Sequence, residues 1–96
     1  MAYDSRYTFS REKVEYPPPY YLQYDIDNPL RRFPDGTQVY LSYEVEIAFP
    51  TYNFNVNCIG EICYINFQYP LTAEEIFRLN DVVFKHKNNI GPPQTL

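Results

Sequence analysis

YNFNVNCIGEICYINFQY, residues 52–69, decides the fold. Ile59-Gly60-Glu61-Ile62 fits a two-residue hairpin turn with Gly first, the position where φ must be positive. Folding the stretch there sets Cys58 opposite Cys63, Val56 opposite Ile65, Phe54 opposite Phe67 and Tyr52 opposite Tyr69. These four pairs share one face. The reverse face pairs Asn57 with Tyr64, Asn55 with Asn66 and Asn53 with Gln68. A slip of one residue would mix the apolar set with the amides, so the pattern fixes the register.

Working back towards the N-terminus, Val39, Leu41, Tyr43, Val45, Ile47 and Phe49 alternate with Tyr40, Ser42, Glu44, Glu46 and Ala48. A period of two predicts a half-buried antiparallel strand, joined to the hairpin through Pro50-Thr51. Phe33-Pro34-Asp35-Gly36 predicts a turn. Tyr20, Leu22, Tyr24 and Ile26 alternate with polar neighbours and predict a first strand.

Towards the C-terminus, Thr72-Ala73-Glu74-Glu75 is a capping box, with Leu71 and Ile76 at the positions of a hydrophobic staple. Ile76, Leu79 and Val83 form an apolar stripe flanked by Phe77 and Phe84, and Lys85 and Lys87 suit the negative end of the helix dipole. Asn88-Asn89 and Gly91-Pro92-Pro93 end the helix. The expected fold is α+β: an antiparallel meander of three to five strands, one face covered by a C-terminal helix. Residues 1–19 read as an irregular aromatic and proline-rich arm, 20–90 as one domain, and 91–96 as a fraying tail.

Composition narrows the function. The chain has 96 residues, a formal charge of −4, and 18 aromatics comprising eleven Tyr and seven Phe. This length supports one modest core, not a core plus an elaborate cleft. Residues 37–71 contain no Lys or Arg, which argues against phosphate binding there. No apolar run approaches the length of a membrane span and no signal-like start is present, so an intracellular, cytoplasmic location is the expectation.

Cys58 and Cys63 face the core in the proposed register. In a reducing cytosol they are expected to remain buried thiols, whereas in an oxidising compartment their cross-strand position would let them bridge. Two cysteines are too few for a self-contained zinc site. Pro17-Pro18-Pro19-Tyr20 resembles the PPxY motif that WW domains recognise. The structural reading of the same residues is a rigid lead-in, with Tyr20 packed in the core. His86, the only histidine, sits among lysines near the helix end, with no nucleophile placed beside it.

Three function classes follow. The favoured expectation is a non-enzymatic protein-interaction module, without cofactor or metal, that binds another protein or a second copy of itself. Short acidic Tyr- and Asn-rich chains of this kind are common among viral and mobile-element accessory proteins, so a host-factor inhibitor or small virion component fits. Its candidate surface is a sheet edge lacking Lys and Pro guards. A Tyr/Asn face is the other candidate, comprising Tyr21, Tyr40, Tyr64, Asn53, Asn55, Asn57, Asn66 and Gln68. The aromatics of the arm, Tyr3, Tyr7, Phe9 and Tyr16, are further candidates, and the arm folding back is one way to cover the edge. The second class is a single-stranded nucleic-acid binder using Arg6, Arg11, Lys13, Arg31 and Arg32. The third is a metal-dependent hydrolase built on Asp25, Asp27, Glu44 and Glu46.

Overall fold

The computed structural model describes residues 5–91. In chain order the elements are β1 (Ser5–Ser10), β2 (Lys13–Tyr16), β3 (Tyr21–Tyr24), a 3-10 turn (Asp25–Asp27), α1 (Leu41–Ala48), β4 (Phe54–Ile59), β5 (Ile62–Phe67) and α2 (Ala73–Asn88). The class is α+β. A three-stranded antiparallel sheet runs in the order β1-β5-β4, and β2 and β3 form a separate antiparallel pair.

The hairpin has the register expected from its two faces. Cys58 pairs with Cys63, Val56 with Ile65, Phe54 with Phe67, Asn57 with Tyr64 and Asn55 with Asn66. Gly60 has φ +60°, which an L side chain at the first turn position would resist. Cys58 and Cys63 are joined as a disulfide with Cα atoms 4.0 Å apart. This corrects the expectation of two buried thiols: cross-strand neighbours of this kind are close enough to bridge.

The arm is not irregular within the described residues. Ser5–Ser10 lies along β5, with Tyr7 opposite Ile65 and Phe9 opposite Cys63. Tyr7 and Phe9 point inward against the core, and the Tyr7 hydroxyl accepts the Leu71 backbone N–H at 2.9 Å. Pro17–Pro19 form the bend between β2 and β3, and Tyr20 is half-buried with its hydroxyl accepting from Arg32. The first strand proves shorter than the alternation over 20–26 implied. It stops at Tyr24, and Asp25–Asp27 turns to bury Ile26.

The largest departure lies at 39–49. The alternating segment is the helix α1, not a third strand. Leu41, Val45 and Phe49 are four residues apart, so they line one helix face as readily as one strand face. Burial is what distinguishes them: a strand would turn Glu44 away from Val45, whereas the helix buries both, Glu44 at 4% exposure and Val45 at 0%.

α2 forms as expected. Thr72 Oγ1 accepts the Glu75 N–H, and the Glu75 carboxylate accepts the Thr72 N–H, closing the capping box. Leu79, Val82, Val83 and His86 face inward. With α1 they cover the inner side of the sheet, around Phe49, Ile65 and Phe67. Phe49 and Phe67 meet edge to face, ring centroids 5.4 Å apart. Four aromatics stand exposed: Tyr52 and Tyr69, which the hairpin register sets on its apolar face, and Phe77 and Phe84, which flank the helix stripe. Phe77 and Phe84 lie on the outer side of α2, opposite the Leu79–Val83 stripe. With β1 bringing Tyr7 and Phe9 inward, a single helix face suffices to complete the core.

Candidate functional site

A buried polar cluster joins three elements that the sequence separates widely. Arg31 sits in the loop before α1, Glu44 on α1 and His86 on α2, with exposures of 2%, 4% and 0%. The Arg31 guanidinium donates from Nε to Glu44 Oε1 and from Nη2 to Oε2, both at 3.1 Å. This two-pronged geometry suits a planar guanidinium against a carboxylate. Its Nη1 donates to the carbonyls of Ile90 and Gly91 at 3.0 and 2.7 Å, just past the end of α2. Asn28, also buried, donates its amide to the His86 and Lys87 carbonyls and accepts the Leu30 N–H.

His86 Nδ1 lies 2.7 Å from Glu44 Oε1. Burial pushes the Glu44 carboxyl up. Hydrogen bonds from His86 and Arg31, together with their charges, outweigh that and hold it below the ordinary carboxylate value. An ionised carboxylate only accepts, so Nδ1 carries a proton towards it. The other ring nitrogen, Nε2, is buried and has no hydrogen-bond partner among the described residues. Buried polar atoms without partners are uncommon, and each calls for an explanation.

His86 lines a cleft of about 380 Å³. One wall is β4, through Phe54, Asn55, Val56 and Cys58. The other is the segment Gln38–Ser42 that leads into α1, with Ile26 and Asp27 at one side. β4 is an edge strand. Its narrow pairs with β5 fall at Asn55, Asn57 and Ile59, counting from the two-residue turn, and the bond from Gln68 N–H to the Asn53 carbonyl continues that series. The N–H and C=O groups of Phe54, Val56 and Cys58 therefore face away from β5. They have no hydrogen-bond partner among the described residues. The unpaired edge and the cleft are the same place.

The expected Tyr/Asn face is only partly assembled. Asn53, Asn55, Asn57, Tyr64, Asn66 and Gln68 do share the outer side of the hairpin. Their amides are largely engaged with one another: Asn53 donates to Gln68, and Asn66 donates to Asn55 while accepting from Arg6. Tyr40 is exposed but stands at the N-cap of α1, on the cleft. Tyr21 is exposed on the separate β2–β3 pair. Of the arm aromatics, Tyr7 and Phe9 serve the core and Tyr16 is buried, while Tyr3 falls outside the described residues.

The four carboxylates considered for a metal are not gathered. Glu44 is held by Arg31 and His86. Asp25 accepts the Glu12 N–H and lies 3.5 Å from Lys87, and Asp27 and Glu46 stand apart on the surface. Among the described residues no three His, Cys, Asp or Glu side chains could hold one ion. The cations considered for nucleic acid are engaged internally. Arg6 lies over the Tyr64 ring, Arg11 and Lys13 over Tyr24, Arg32 bonds Pro29, Gly36 and Tyr20, and Arg31 is buried.

The Arg31–Glu44–His86 cluster escaped the sequence reading because Glu44 was placed on the outer face of a strand. Testing residues 41–49 at helical spacing would have turned Glu44 inward beside Val45 and left a charge in need of a partner. No family model matches this sequence, and no curated protein or solved structure matches it either. Among the described residues no helix is long and apolar enough to cross a membrane.

Proposed function

We propose that the chain is a protein-interaction module that takes up an extended segment of another protein by strand addition along β4. The observation that carries this reading is the unpaired edge at Phe54, Val56 and Cys58, bordering the cleft that runs back to His86. Main-chain hydrogen bonds to an added strand supply affinity, and a neighbouring pocket for alternate side chains supplies selectivity. FNVNCI carries no Lys, Pro or other charged guard, the usual means of keeping an edge from pairing.

Selection from a displayed library of unstructured peptides, followed by hydrogen exchange on the complex, tests the proposal. Bound peptide is expected to slow exchange at the Phe54, Val56 and Cys58 amides while leaving Asn55 and Asn57 unchanged, since those two are already bonded to β5. Binders that protect the outer Asn face instead would refute it. Protection at β4 that appears with concentration in the absence of peptide, together with a doubled mass in sedimentation, would make the added strand a second copy of this chain.

A further inference from the structure

A second cleft, of about 330 Å³, opens where β4 begins and β5 ends. Tyr52 and Tyr69 line it, with exposures of 41% and 66%, together with the half-buried Glu75 of α2. Among the described residues its lining holds no Lys, Arg or His. The Tyr52 ring is set in place by edge-to-face contacts with Phe49 and Phe67, at centroid distances of 5.3 and 6.2 Å. Its hydroxyl donates to Glu75 Oε2, while Oε1 accepts the Thr72 N–H. Each carboxylate oxygen keeps a further lone pair. Glu44 uses the same capacity to accept Arg31 and His86 together.

The chain shows which cation suits its rings. Arg6 lies over Tyr64, Arg11 over Tyr24, Arg32 over Tyr20 and Arg78 over Phe49, with guanidinium carbons 4.0–5.5 Å from the ring centroids. The remaining arginine, Arg31, is taken by Glu44. Arg78, one turn past Glu75 on α2, is turned to the Phe49 ring and the Ala48 carbonyl. A guanidinium suits both kinds of wall at the cleft: its plane stacks on tyrosine and its fork donates to a carboxylate. An ammonium, a strongly hydrated point charge, has neither the plane nor the fork. The positive end of the α2 dipole opposes a cation by about half a charge, and Glu74 and Glu75 in the first turn outweigh it.

We propose that this second cleft binds the guanidinium of an arginine on a partner protein, its plane against the Tyr69 ring and its donors on the Glu75 carboxylate. Tyr52 holds that carboxylate in place, and all three groups are open to an entering side chain. The site goes beyond the strand-addition reading and does not rest on it: the two clefts share no lining residue.

The probe is n-propylguanidinium, the arginine side chain cut from its α carbon, titrated at about pH 7 against the isotope-labelled protein, where a guanidinium is fully charged. Its roughly seven heavy atoms correspond to a Kd on the order of 10 mM. Nuclear Overhauser effects from the Tyr69 ring protons to the ligand methylenes are expected, and the ligand resonances should move upfield, as they do over an aromatic face. Glu75→Gln, which keeps the capping box, should weaken binding several-fold, and so should Tyr69→Leu. Phe84→Ser, which removes an exposed ring at the other end of α2, should leave binding unchanged. n-Butylammonium should bind several-fold more weakly than propylguanidinium, and butyrate not at all. In arginine-containing peptides selected against the chain, citrulline in place of arginine should lose about tenfold in affinity.

Equal binding of butylammonium or of the citrulline peptide overturns the site, as does undiminished affinity in Glu75→Gln or Tyr69→Leu. Tetramethylammonium bound more tightly than propylguanidinium would overturn it in favour of a methylated ammonium. Free arginine bound about a hundredfold more tightly would overturn the protein source in favour of the amino acid. The strand-addition reading fails separately, by absence of protection at the β4 amides, whatever propylguanidinium does.

Discussion

His86 Nδ1 and Glu44 Oε1 are 2.7 Å apart across 42 residues of chain, and the same carboxylate receives two donors from Arg31. That contact fixes α1 against α2 and orients the ring of the histidine at the cleft. Glu44→Ala would leave a buried guanidinium without its counter-charge. It is expected to cost about 3–5 kcal/mol, read by urea denaturation against the parent. Glu46→Ala, two residues away and exposed, should change stability by less than about 0.5 kcal/mol. Equal effects of the two substitutions would show that the cluster does not hold the helices together.

Stability should depend on acid in a definite direction. The Glu44 carboxyl is held below its ordinary value of 4.5 in the folded chain. The unfolded state therefore binds a proton first as the pH drops, and the folded state is progressively penalised. The contribution is fully present above about pH 5 and is lost as the pH falls below 4.5 through the folded value. Denaturation midpoints measured from pH 6 to 3 should fall less steeply in Glu44→Gln than in the parent. Parallel curves would remove Glu44 from the account.

The disulfide makes a modest contribution. Cys58 and Cys63 are five residues apart, and loop-closure entropy for so short a ring gives about 2 kcal/mol. Intact mass after alkylation without reductant should show no modified cysteine. The double Ser variant should remain folded with a lower midpoint.

The two exposed phenylalanines of α2 separate packing from surface. Phe77→Ser and Phe84→Ser should each stay within about 0.5 kcal/mol of the parent, while Leu79→Ala, fully buried between them, should cost about 2–5 kcal/mol. Thermal melts of the three variants make the comparison. A large loss at Phe77 would mean that its outer face is covered in solution.

The features legible in the sequence were those where two local signals agreed. The β4–β5 register followed from amides on one face and apolar residues on the other. The start of α2 followed from Thr72 and Glu75 bonding each other across one turn. The segment 39–49 was misread because its apolar spacing satisfies both a strand and a helix. What distinguishes them is Glu44, whose partners lie 13 and 42 residues away. Tyr7 and Phe9 alternate with Arg6 and Thr8, a pattern too brief to announce a strand until β5 is present to receive it. The cleft could not be foreseen either. It exists because α1, not a strand, stands beside β4, which leaves the edge unpaired.

The bonds from Arg31 to the Ile90 and Gly91 carbonyls set an order on the birth of the protein. During synthesis Arg31 emerges some sixty residues before its last two acceptors. β1 likewise waits for β5, and Lys87 reaches back to the Ser10 carbonyl. Few of the contacts that bury the cluster can form while the chain is still being extended, so the fold closes late and as a whole, not by accretion from the first strand. A nascent chain paused before His86 would hold Arg31 and Glu44 at the surface and α1 without its partner helix, open to any protease or chaperone that reads exposed apolar segments.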